Sequence, residues 1–137
     1  MKKLTYFQNN KEFEIGISDD QIYADEFVRT LGANYGSGYS TRYVIDLDIN
    51  SKKYAEVRIS CANSCWACRG HGMNDGWLEA NNNILRKEAI KFVDEVKEKI
   101  KKGEIEDNTK DVKNLFEKIE SFVVENIEDY EEIEDTF

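Results

Sequence analysis

The sequence predicts an α+β fold, a small antiparallel sheet in the order ββαββ packed on one face by a C-terminal antiparallel helix pair. Two observations lead there. Apolar residues alternate with a period of two in separate runs before residue 61, and recur at helical spacing in two runs after residue 84. Strands followed by helices, without a repeating β-α alternation, favour a sheet covered on one side.

The first hairpin is read from Leu4 and Tyr6, then Phe13, Ile15 and Ile17, around Asn9-Asn10. A two-residue type I′ turn at these asparagines pairs Tyr6 with Phe13 and Leu4 with Ile15, on one face. Ser18 and Gln21 have the spacing of a capping box, and Ile22, Tyr23, Phe27, Val28 and Leu31 follow before Gly32. This pattern predicts a helix over 19–31. Residues 32–41 read as a loop. The alternation of Tyr43, Ile45, Leu47 and Ile49, and then of Ala55, Val57, Ile59 and Cys61, predicts a second hairpin. Because the inward positions are all odd, its register sets Ile45 against Val57 and Leu47 against Ala55 across the turn Asn50-Ser51-Lys52.

Residues 62–83 read as a long loop. Leu85, Ala89, Phe92, Val96 and Ile100 then mark an amphipathic helix ending in lysines and Gly103. Asn108 or Thr109 caps a second helix, whose apolar face carries Val112, Leu115, Phe116, Ile119, Phe122, Val123, Ile127 and Tyr130. The organisation is one domain: hairpin, helix and hairpin over 1–61, the loop, an αα-hairpin over 84–130, and an acidic tail over 131–137.

The chain has 137 residues, with 40% apolar and 34% charged, and a net charge of -9. That length is enough to bury a core without a disulfide or metal. Three cysteines with no secretory segment, and no apolar run of membrane-spanning length, point to a cytoplasmic protein. The charge is segregated. Residues 1–103 hold 15 acids and 16 bases, whereas 104–137 hold 13 acids and 3 bases. Glu125, Glu128, Asp129, Glu131 and Glu132 stand in a stretch without a base. Such a surface repels phosphates, so neither nucleic acid nor membrane is expected as a direct partner; a basic protein is.

Residues 61–77 concentrate all three cysteines, the single histidine and both tryptophans. Cys61, Cys65, Cys68 and His71 offer three thiolates and an imidazole, a donor set that suits structural zinc. Their steps of 4, 3 and 3 would form a row in a helix, and the competing reading is that the cysteines are small buried hydrophobes. The Cys61-x₃-Cys65-x₂-Cys68 spacing resembles the cluster motif of radical SAM enzymes over eight residues. Ala67 replaces that family's usual aromatic, and the chain is too short for its barrel. No other cofactor is expected, and with one histidine and no recognisable catalytic set, no enzymatic activity either.

Tyr35, Tyr39, Trp66 and Trp77 fall in glycine-bearing segments, where they would anchor an interface or line a small-ligand pocket. The functional expectation is therefore a small acidic inhibitor that occupies the basic surface of a nuclease or ribonucleoprotein effector. Bacteriocin-type immunity proteins and phage anti-CRISPR proteins fill that physical role. The alternatives are a protein that sequesters a nucleotide-like ligand, and a zinc-stabilised module.

Overall fold

A computed structural model describes residues 1–29, 38–47, 53–64 and 76–127. Six strands follow one another as β1 (Lys2–Gln8), β2 (Lys11–Ile17), β3 (Gln21–Arg29), β4 (Gly38–Asp46), β5 (Tyr54–Ser64) and β6 (Gly76–Leu85). They form one antiparallel sheet in the order β1-β2-β3-β4-β5-β6, a meander in which sequence neighbours are spatial neighbours. Two helices complete the chain, α1 (Arg86–Lys101) and α2 (Lys110–Asn126). The class is α+β as expected; the ββαββ order is not.

The first hairpin has the expected register, with Leu4 opposite Ile15 and Tyr6 opposite Phe13. Its turn departs from the I′ form, which needs positive φ at both central residues: Asn9 has φ 53° and Asn10 does not share it. The register of β4 and β5 also agrees, with Ile45 opposite Val57 and Tyr43 opposite Ile59.

The helix expected over 19–31 is instead β3. Ser18 does not cap a helix there. Its N–H donates to Gln21 O at 2.9 Å, closing a two-residue hairpin at Asp19-Asp20. Ile22, Ala24 and Val28 turn to one face of the sheet and are buried, while Tyr23 and Phe27 occupy the other. Apolar groups on both faces of a strand produce adjacent pairs, Ile22-Tyr23 and Phe27-Val28, which imitate helical spacing.

The loop expected over 62–83 is also corrected. β5 continues to Ser64 and β6 occupies Gly76–Leu85, pairing Cys61 with Leu78 and Ile59 with Ala80. The helix then begins after Leu85, which is 45% exposed, so Leu85 does not belong to the buried stripe. That stripe is Ala89, Val93 and Val96.

Both helix ends carry recognisable stops. Gly103, at φ 73°, closes α1: its N–H donates to Ile100 O and that of Glu104 to Lys99 O, the pair of bonds that satisfies the last carbonyls. Thr109 caps α2, its hydroxyl accepting from Asp111 N–H at 3.2 Å.

One core joins sheet and helices. Ile17, Ile22, Ile45 and Val57 form a row of cross-strand neighbours, beside a second row of Leu4, Ile15, Ala24, Tyr43 and Ile59. Val112, Leu115, Phe116, Ile119 and Val123 of α2 belong to the same cluster. Phe116 meets Phe13 and Tyr43 edge-on, at 5.1 and 5.7 Å between ring centroids. Phe92 of α1 stacks on Phe122 of α2 at 4.2 Å.

Candidate interaction surface

The face of the sheet away from the helices is built from the other set of alternating residues. The register aligns Thr5, Glu14, Asp25, Arg42, Ser60 and Glu79 in a single row across all six strands. Three of the six are acids. Arg42 forks onto Asp25, with Nε and Nη2 each 2.7 Å from a carboxylate oxygen. This bond is the main cause that raises the guanidinium pKa further above its ordinary value. The same guanidinium lies 4.5 Å from the centre of the Tyr23 ring.

Tyr23 is only 7% exposed although it lies on this face, which neither described helix covers. Its ring lies over Gly16 of the neighbouring strand, where any Cβ would collide with it. Burial, followed by the nearby Glu14 and Asp25 carboxylates, pushes its phenol pKa up. Beyond Arg42 the side chains become small. Ser40, Ser60 and Ala62 line a cleft of about 450 Å³ together with Asp25, Arg42 and Glu79.

The acids of the C-terminal third divide into two groups. Some serve the fold. The Asp107 carboxylate accepts from Thr5 N–H at 2.7 Å, and an Asp111 carboxylate oxygen lies 3.3 Å from Glu106 N–H. Glu120 is hydrogen-bonded to the Tyr43 phenol, whose pKa is raised first by burial and then by this carboxylate. Glu117 and Glu125 are exposed on α2, and the last turn of that helix contains no base. A carboxylate there faces the negative end of the helix dipole, an arrangement that costs about 0.3–1 kcal/mol at low salt.

Among the described residues, the ion pairs are Lys3–Glu14, Lys11–Glu26, Arg42–Asp25, Arg58–Glu56 and Lys102–Glu98. All of them join residues of the first 103. A cleft of the opposite character, about 460 Å³ and edged by Lys2, Lys97 and Lys101, lies near the end of α1.

The residues singled out from the sequence are only partly brought into view. Tyr39 lies in β4 and is 49% exposed, opposite Val28 and Asn63. Trp77 lies in β6 opposite Ala62, on a strand where a loop was expected. Cys61 is half-buried in β5, with its Sγ 3.7 Å from Thr41 Oγ1, and is the one cysteine among the described residues. Tyr35, Trp66, Cys65, Cys68 and His71 lie outside the described residues, as do Glu128, Asp129, Glu131 and Glu132. Among the described residues no group of three or more potential metal ligands occurs. No helix among them is long and apolar enough to cross a membrane.

Sequence reasoning missed the row from Thr5 to Glu79. Asp25 was hidden by the helical reading of β3, and Glu79 by the loop reading of β6. Comparisons with protein-family models, curated proteins and solved structures return no match.

Proposed function

We propose that the protein is an acidic interaction protein that binds the basic surface of a partner, a nucleic-acid-processing enzyme, and acts by occupying that surface. One observation supports this reading above the others. The ion pairs between described residues all lie within residues 1–103, and among the described residues none of them engages the exposed Glu117 or Glu125 of α2. Uncompensated like charge stores repulsion in the free protein, and a cationic partner relieves it. Glu125 also sits in the last turn of α2, at the negative end of the helix, where folding alone would place lysine or arginine.

The test uses the whole chain as bait in an extract of its source cells, beside a variant carrying Glu117→Lys and Glu125→Lys. The wild type should retain a basic nucleic-acid-processing protein. The variant should associate with it about tenfold more slowly, and the difference should vanish as salt rises from about 50 to 500 mM. A retained protein that is acidic, or an association rate indifferent to both salt and the charge reversals, overturns the proposal.

A further inference from the structure

The sheet has two edges, and the chain treats them differently. At β1 the outward backbone groups of Thr5 are both taken up by the connection between the helices. Thr5 N–H donates to the Asp107 carboxylate at 2.7 Å, and Asn108 N–H donates to Thr5 O at 2.7 Å. This strand also carries Lys2 and Lys3, and charged residues of this kind guard an edge against further pairing.

At the other edge, Arg86 N–H donates to Lys53 O at 2.8 Å. With the observed register, this makes Ala55 with Ile84, Val57 with Asn82 and Ile59 with Ala80 the hydrogen-bonded pairs. Glu79, Asn81, Asn83 and Leu85 consequently point their N–H and C=O groups away from β5. Leu85 is the N-cap of α1, and its C=O belongs to that helix; at Glu79, Asn81 and Asn83, no hydrogen bond among the described residues reaches the outward groups. β6 contains neither lysine, arginine nor proline, and its Glu79, Asn81 and Asn83 are exposed.

We infer that β6 is the docking edge, and that it accepts an extended, lysine- or arginine-bearing segment of the partner as a seventh strand. The inference rests on the proposal that the partner is basic, and specifies how it is held. Backbone bonds to Glu79, Asn81 and Asn83 supply the attachment. The sign of the charge selects the strand. Side chains of an added strand alternate between the two faces. Glu79 lies on the open face; on the helix side the Asn82 side chain donates to Asn126 O at 2.6 Å, which brings the last turn of α2, with its exposed Glu125, beside this strand. A second copy of the chain suits this edge less well, because it would bring two sets of these acids together.

The probes are two capped decapeptides, one alternating lysine and threonine and the other glutamate and threonine. They are added to the full chain while backbone amide exchange is followed by NMR. The lysine peptide should slow exchange at Glu79, Asn81 and Asn83 by about tenfold or more, and the glutamate peptide should leave it unchanged. Asn81→Pro deletes one outward N–H without touching the β5–β6 ladder, and Asn81→Ala keeps it. The proline variant, checked for native circular dichroism, should lose about tenfold in affinity for the lysine peptide, and the alanine variant less than about twofold.

Absence of binding by the lysine peptide, or binding that Asn81→Pro leaves intact, overturns the inference. So does protection of these amides in the free chain: if it is lost on dilution, a second copy occupies the edge. A basic partner whose capture is salt-sensitive but indifferent to Asn81→Pro refutes the edge and leaves the proposed function standing. An acidic partner refutes the function itself.

Discussion

The two faces of the sheet bury apolar surface by different means. On the helix-covered face, Ile15, Ile22, Ile45 and Val57 are sealed by side chains from far along the chain, such as Phe116 and Ile119 of α2. On the open face, burial is made within the sheet. Tyr23 lies across Gly16 and Phe27 across Gly38, each on an adjacent strand. A face sealed by helices can be uniformly apolar. A face sealed by its own aromatics needs a glycine to receive each ring, and leaves the remaining positions free to carry charge.

This contrast can be broken most severely from the covered side. Phe116→Ala should cost about 3–5 kcal/mol in urea unfolding, because it empties the junction of Phe13, Tyr43 and α2. On the open side, Gly16→Ala should cost about 1–3 kcal/mol, since the added methyl must displace the Tyr23 ring. Combining it with Tyr23→Ser, which removes the ring that the methyl strikes, should cost less than the sum of the single changes. Additive costs would show that the ring and the glycine are independent.

The smallest effect is a pH dependence that straddles the two faces. Burial and Glu120 raise the Tyr43 pKa above its ordinary 10.0 in the folded chain. The folded state therefore holds this proton more tightly than the unfolded state. The resulting stabilisation is fully present below pH 10 and is lost as pH climbs beyond it. A series of melting midpoints from about pH 8 to 11 should show a decline, and Tyr43→Phe should flatten part of it. Tyr23, shifted in the same direction by burial on the open face, would account for the remainder.

The hairpin registers were legible because one face of each strand is apolar and the other polar, so that a slip by one residue would exchange core for solvent. That asymmetry holds for β2 and β5, and for β1 and β4 with one exception each, Phe7 and Val44 on the open face. It fails at β3, where Tyr23 and Phe27 are apolar on the open face, and at β6, where Asn81, Asn82 and Asn83 erase the alternation. Those two strands carry Asp25 and Glu79, so losing them hid the open-face row. Asymmetry of charge was legible along the chain. It did not disclose that Asp107, Asp111 and Glu120 are engaged in holding the fold while Glu125 is not.

Sequence alone determined the α+β class, both described hairpin registers it named, the termination of α1 at Gly103 and the concentration of acids near the C-terminus. These depend on contacts or preferences within a few residues, which periodicity and cap chemistry report directly. Tertiary structure decided that 21–29 is a strand, that β6 is an edge, and which acids are spent on the fold. Each depends on a neighbour supplied from elsewhere: Gly16 beneath Tyr23, β5 beside β6, and Thr5 opposite Asp107. Local propensity is weak beside such contacts, and only the assembled sheet brings the partners together.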